Sequence, residues 1–198
     1  MSTEAVRRQL EEQIAVARAV LREIVPAIAD AAGRVEAVVR SGGTLFFCGN
    51  GGSAADAQHL AAEYVVRFQR ERTPIRAIAL TTDTSILTAS ANDDGFGSVF
   101  ARQLRALARP GDLLMVHSTS GESENVIRAA TVAREQGAET CALLAKGGGR
   151  LAELVDVALV VPTESTARAQ EMHLIIGHII CDHVDAALAD GEAGPIDS

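Results

Sequence analysis

His59 and Glu63 stand four residues apart in the stretch SAADAQHLAAEYVVRF (53–68), whose apolar positions recur at helical intervals. On a helix that interval puts both side chains on one face. A neutral imidazole beside a carboxylate can hold a divalent metal ion. The carboxylate can also take up a proton and return it. A solvated helix pair is the commoner meaning of this spacing. Here, however, the pair follows directly on GNGGS (49–53), a loop of glycines and small polar residues that ends a short apolar run. Bare backbone lets a ligand approach closely, and Ser53 reads as the cap of the helix that follows. GNGGS has neither the Gly-Lys-Ser/Thr of a Walker loop nor a G-x-G-x-x-G spacing. Taken alone, it is equally a tight strand-to-helix turn.

A second segment, STSGES (118–123), is a stronger candidate. Ser118, Thr119, Ser120 and Ser123 offer four hydroxyls within six positions, between an apolar run and a helix start. Hydroxyls, backbone donors and the positive end of a helix dipole together suit a phosphate monoester. A helix cap needs only one hydroxyl, so four favour an anion over a turn. Glu122 works against this unless its carboxylate points away. A third set lies on ARAQEMHLIIGHIICDHVDAALAD (167–190), where Gln170, His173, His178 and His183 stand among apolar neighbours. Histidines on such a helix are usually core or interface residues. Gln170 and His178 are eight residues apart, which on a regular helix means ~12 Å of rise and ~80° of rotation. Both reach one small ion only if Gln170 sits at an irregular helix start, or if the two serve sites in different subunits.

The apolar pattern supplies the elements that must carry these residues. Residues 4–40 read as one long helix, or as two broken near Pro26, with Gly33 as a second irregularity. Leu10, Ile14, Ala17, Leu21 and Ile24 form its apolar stripe, which packs on its own domain or against a second subunit. Strands are predicted at 44–49, 75–80, 112–118, 139–146 and 157–162. They alternate with helices predicted at 53–68, 98–108, 124–137, 148–155 and 167–190, and TTDTSILTASAND (81–93) connects the second strand onward. The alternation predicts an α/β fold with a five-stranded, mainly parallel sheet flanked by helices. In such sheets ligands bind outside the carboxyl ends of the strands. That rule nominates GNGGS, TTDTS and STSGES.

A length of 198 residues, 47% of them apolar, suits one domain with one core. There is no tryptophan and only 3% aromatic residues, which argues against stacking on bases or sugar rings. A net charge of −8 and a pI near 5.1 argue against nucleic-acid binding through phosphate neutralisation. Local backbone N–H groups can still hold a small anion. The charged, amphipathic N-terminus lacks the apolar core of a signal peptide, and no segment reads as a membrane span. Cys48, Cys141 and Cys181 show no C-x-x-C spacing and lie in apolar surroundings. They read as reduced buried thiols, which fits the cytoplasm.

GNGGSAADAQHLAAE, the AND at 91–93, STSGES and ARAQEMHLIIGH, in this order between about residues 40 and 185, resemble the sugar isomerase (SIS) family and, more narrowly, the phosphoheptose isomerases. The resemblance implies a single SIS domain over 41–190, preceded by an N-terminal helical arm (1–40) and followed by a polar tail (191–198). It implies a cytoplasmic homotetramer with intersubunit active sites, one zinc ion per subunit, and a phosphorylated seven-carbon sugar as substrate. The reaction implied is conversion of sedoheptulose 7-phosphate to D-glycero-D-manno-heptose 7-phosphate. Carried over by position, Asn50, Gly51, Gly52, Ser53, Glu63, Asn92, Asp93 and Gln170 contact substrate. Ser118, Thr119, Ser120 and Ser123 hold its phosphate. His59, Glu63, Gln170 and His178 match the zinc ligands, and Glu63 with His178 the acid–base pair.

Three positions depart from the family pattern. Glu122 replaces an asparagine, Ala167 stands where some members have an aspartate, and His117 replaces an aliphatic residue. The rival expectation is a non-catalytic SIS-fold binding protein that associates with the replication initiator. Such relatives share GNG, QH and the ARxQE segment but resemble this chain less at Glu63 together with His178. A SIS sensor domain usually carries a further attached domain. The presence of both Glu63 and His178 favours the enzyme.

Overall fold

The computed structural model describes residues 2–189. Helix α1 (Thr3–Glu23) is capped by Ser2, whose hydroxyl accepts from the Ala5 N–H at 3.2 Å. The chain breaks at Ile24, and α2 (Val25–Arg40) restarts with Pro26 in its first turn, where a missing N–H removes no helical bond. Gly33 lies inside α2 without interrupting it. There follow β1 (Leu45–Gly49), α3 (Gly52–Val65), β2 (Ala77–Ala79), α4 (Thr84–Asp94), α5 (Val99–Leu107), β3 (Leu113–Ser118), α6 (Glu124–Glu135), β4 (Glu139–Leu144), β5 (Val157–Val160) and α7 (Thr166–Ala189).

The strands pair in the order β2-β1-β3-β4-β5, and every pair is parallel. A parallel sheet needs cover on both faces. One face packs Leu45, Phe47, Leu113 and Met115 against Val35 of α2, Leu60 and Tyr64 of α3, and Ile176 and Ile180 of α7. The other packs Phe46, Leu114 and Val116 against Leu104 of α5 and Val126 and Ala130 of α6. From β1 the chain goes outward to β2, then returns past β1 to β3. The strand order therefore reverses between β1 and β3, and a crevice opens at their carboxyl ends.

The structure departs from the sequence reading at several places. The connection 81–93 contains α4, capped by Asp83, whose carboxylate accepts from the Ile86 N–H at 3.0 Å. The segment expected as a helix at 148–155 is a short 3-10 turn, Arg150–Glu153. Ser53 is not the cap of α3. Gly51 takes that place with φ 56° and ψ −122°, backbone that glycine alone adopts readily, and Ser53 is already helical. The α1 stripe packs on its own domain only in part: Ala17 and Ile24 lie against the core, while Leu10, Ile14 and Leu21 are 62%, 51% and 70% exposed. By contrast α2 buries Ile28, Ala31, Ala32, Val35 and Val38, whereas α1 buries only Val20, so the expected arm is largely part of the core along its second half. The expected tail, 191–198, lies outside the described residues.

Helix α7 is long and apolar enough to pass for a membrane span by length and composition, which the sequence reading did not anticipate. Its residues Ala169, Met172, Ile176, Ile180 and Val184 are buried against the sheet, as in the core helix of a globular domain. Cys48, Cys141 and Cys181 are free and buried, and burial raises all three thiols.

Candidate active site

Three helices begin around the crevice: α3 after β1, α6 after β3, and α7. They enclose a cavity of about 320 Å³ lined by Asn50–Ser53, His117–Ser120, Ser123, Thr166 and Gln170. The first turn of each helix leaves N–H groups without intrahelical partners and carries positive partial charge. The STSGES loop is held open by its own bonds. Ser118 Oγ accepts from the Gly121 N–H at 3.1 Å, and Ser120 Oγ from the Glu122 N–H at 3.3 Å. Ser123 stands at the cap position of α6 but makes no capping bond, which leaves its hydroxyl for a ligand. Asn50 and Asn125 exchange amide hydrogen bonds of 2.9 and 2.8 Å, pinning the GNGGS loop to α6. A larger hollow of about 520 Å³ opens at the amino end of the sheet beside Thr44 and Asp112. It contains none of the candidate residues.

His117 forms part of the cavity wall and is fully buried, with both ring nitrogens unbonded. Its ring meets that of His173 on α7 edge-on, at 6.4 Å between centroids. His173 Nε2 donates to the Leu144 carbonyl at 3.0 Å. Burial, and then the neighbouring His173, push His117 down to about 3, while burial pushes His173 down to about 4. Both rings are neutral at physiological pH and bring no charge to the cavity. The Glu122 carboxylate turns toward Arg150, accepting from its backbone N–H at 2.8 Å and its Nε at 2.9 Å. Its negative charge is thereby directed onto a guanidinium. Ala167 occupies the first turn of α7 and brings no acid.

From this cavity α3 and α7 run side by side in the same direction. Three contacts fix that. A Cβ on Gly52 would lie 2.6 Å from Gln170 Nε2, and one on Gly177 would lie 2.6 Å from Leu60 Cδ1. Beyond the first contact, His59 Nε2 meets His178 Nε2 at 2.8 Å. Missing side chains at Gly52 and Gly177 thus let the two helices approach closely enough for their histidines to touch. Glu63 Oε1 lies 3.5 Å from His59 Nε2, and Phe68 stacks on the His178 ring at 5.1 Å. At 2.8 Å one imidazole donates to the other. Burial, then the facing His59, lower the pKa of His178, although Glu63 opposes this. Behind the cluster, buried Arg72 donates to the Glu63 carbonyl at 2.8 Å and to Asp185 of α7 at 2.5 Å, bolting the end of α3 to α7.

His59, Glu63 and His178 therefore come together within a single chain. Gln170 does not join them. It lies on the second turn of a continuous helix, so the expectation of an irregular helix start fails, and it faces the cavity. Asn92 and Asp93 sit exposed on the last turn of α4, bonded to each other at 2.9 Å, outside the cavity lining of this chain. Three residues escaped the sequence reading. Thr166 lines the cavity, and Asn125 anchors its loop. Asp56, one turn before His59, carries a buried unpartnered Oδ2 and a carboxyl raised by burial. Its helical spacing from His59 was the available signal.

Two imidazole nitrogens and a carboxylate oxygen form a donor set suited to zinc. The residues fit such an ion by the chemistry of their donor atoms.

The SIS domain family matches residues 10–145. The chain is thus a SIS-domain protein, and solved structures below 25% identity share that fold. It is 52% identical over 168 residues to the phosphoheptose isomerase of Rhodospirillum rubrum, covering 85% of this chain and 89% of that one. The phosphoheptose isomerase of Roseiflexus is 51% identical over 180 residues, 91% of each chain. The solved phosphoheptose isomerase of Francisella tularensis superposes with a TM-score of 0.90 at 36% identity, over 94% of this chain and all of that one. The one from Neisseria gonorrhoeae gives 0.87 at 42%, over 92% and 98%. The chain belongs to the phosphoheptose isomerase family, and it is an isomerase.

Proposed function

We propose that the chain interconverts sedoheptulose 7-phosphate and D-glycero-D-manno-heptose 7-phosphate through an enediol. The observation that carries this reading is the parallel run of α3 and α7. It places an anion cavity at their heads and an imidazole–carboxylate cluster ~9–12 Å further along. An open-chain sugar with a terminal phosphate spans a distance of that order. Ser118, Thr119, Ser120 and Ser123 hold the phosphate, with the helix starts supplying N–H donors. Gly51, Gly52, Ser53 and Gln170 position the chain of the sugar, and Asn50 keeps its loop in place.

Aldose–ketose isomerisation moves one proton between adjacent carbons and another between their oxygens. Glu63 takes the proton from one carbon and returns it to the next. His178, kept neutral by burial beside His59, takes a hydroxyl proton and returns it to the former carbonyl oxygen. Zinc held by His59, Glu63 and His178 would polarise a substrate oxygen. Gln170, turned to the cavity in its own chain, would complete that set only from a neighbouring copy. A side chain that ligates zinc is not at that moment a free acid or base. Solvent protection at the cluster comes, in this proposal, from a homotetramer that covers the exposed Leu10, Ile14 and Leu21 of α1 and Ile175 and Ile179 of α7. Asn92 and Asp93 reach substrate across such an interface. The buried thiols suit work in the cytoplasm.

An isomerase assay of the purified protein on sedoheptulose 7-phosphate, with and without chelator, tests the proposal. Turnover of that sugar supports it. A protein that binds the sugar phosphate without isomerising it, before or after zinc is added, contradicts it.

A further inference from the structure

Among the described residues that line the cavity there is no lysine or arginine. A phosphate monoester carries nearly two negative charges at neutral pH, and His117 is neutral there. Arg150 is engaged by Glu122 at 2.9 Å and Arg168 by Glu171 at 2.9 Å. Among the described residues beside the site, one cation bonded to a hydroxyl and not to a carboxylate remains. Lys146 is the single lysine of the chain.

Its backbone is unusual. Lys146 has φ 51°, the one non-glycine residue at positive φ among those described. Gly147, Gly148 and Gly149 follow at 75°, 88° and 55°. This left-handed run turns the chain back at the carboxyl end of β4. The Lys146 N–H donates to the Thr163 carbonyl at 3.1 Å, and the Leu151 N–H to the Gly121 carbonyl at 3.1 Å, so the loop rests against STSGES. The turn brings Lys146 Nζ to 2.9 Å from Thr166 Oγ1, and Thr166 lines the cavity. A side chain is kept here where glycine would relax the backbone, the pattern of strain held at a functional site.

We infer that Lys146 is the cation of the phosphate subsite. Its ammonium rests on Thr166 and turns onto a phosphate oxygen when the sugar phosphate enters. The inference builds on the phosphate reading of the STSGES cavity. It makes Lys146 a determinant of selectivity for phosphorylated over free sugar, acting on binding and not on the proton transfers.

Steady-state kinetics of Lys146→Met, Lys146→Gly and Lys146→Arg beside Ser120→Ala test it. Loss of a charge-assisted bond predicts that Lys146→Met raises KM for sedoheptulose 7-phosphate about tenfold. Its kcat should stay within about twofold of the parent, and Lys146→Arg should restore most of the loss. Lys146→Gly should raise KM equally while raising Tm, because glycine relaxes the left-handed backbone. A merely structural lysine predicts the reverse pairing. Reductive methylation with ¹³C-formaldehyde labels this one lysine and the amino terminus, and the lysine resonance should shift when inorganic phosphate is titrated in. If Ser120→Ala raises KM and Lys146→Met does not, the role of Lys146 is overturned while the phosphate cavity stands. If neither moves KM, the phosphate reading falls and this inference with it. A Lys146→Gly protein of lowered Tm and unchanged KM also overturns it.

Discussion

The cavity at the head of the α3–α7 pair is walled by the ends of β1 and β3 and the starts of α3, α6 and α7, and its donors come largely from fixed backbone and short hydroxyls. Two turns down the same helices, the His59–Glu63–His178 cluster stands half in solvent, with the His59 side chain 43% exposed and Val66, Ile175 and Ile179 exposed nearby. One chain can therefore build the anion site from many small contributions that need no further cover. Proton transfer demands a water-excluded site in which charges act strongly, and the single chain leaves that region open. In the proposed reading the comparison separates a phosphate subsite built within one chain from a proton-transfer cluster that a second copy would cover.

Substitutions at the cluster should produce the largest effects and leave the cavity intact. Glu63→Gln and His178→Gln should each lower kcat by about 100-fold or more, the scale of a lost acid or base. KM should change little, and a near-parental kcat in either variant would break the assignment. Gly177→Ala probes the helix contact that joins the two regions. Its Cβ would press on buried Leu60 at 2.6 Å, so the helices must part or strain. The expected fall in Tm is about 2–10 °C, with kcat reduced more than affinity for phosphate. Ser120→Ala tests the other region. Removing one neutral hydrogen bond should raise KM about two- to tenfold with kcat nearly unchanged.

The smallest effect concerns pH. Burial holds His117 and His173 near 3 and 4, below the ordinary 6.5. Between those values and 6.5 the unfolded chain binds protons that the folded chain does not, so stability falls as the pH drops through that window. Burial alone would raise Asp185, but bonds from the Gln69 N–H, Arg72 and the Arg70 N–H hold it below the usual carboxylate range. Its contribution is present above the unfolded carboxylate pKa and is lost as pH falls through the folded one. Urea midpoints measured from pH 7 to 4 should decline, and His117→Leu should flatten the decline. An unchanged slope in that variant would contradict the burial of a neutral imidazole there.

Much of this was legible in the sequence because it depends on local pattern. Apolar runs between helical periods gave the five strands, and helix arithmetic already separated Gln170 from His178. Helix α4 was missed because TTDTSILTASAND has no clear apolar face, although Asp83 stood ready as its cap. The pairing of His59 with His178, and of His117 with His173, joins residues distant in the chain and depends on how α7 lies on α3 and β3. No spacing rule reveals that. The positive φ of Lys146 was likewise invisible, since nothing in a lone lysine before three glycines says which residue takes the strained backbone.

The central claim is that one end of the helix pair binds and the other moves protons. Incubating sedoheptulose 7-phosphate in D₂O with the parent protein or with Glu63→Gln, and following deuterium at the reacting carbons by NMR while titrating affinity calorimetrically, tests it most directly. Deuterium should enter the sugar with the parent protein. With Glu63→Gln exchange should fall by about 100-fold while the sugar phosphate still binds with similar affinity. Exchange at the parental rate in Glu63→Gln, or loss of binding together with loss of exchange, would contradict the division of labour.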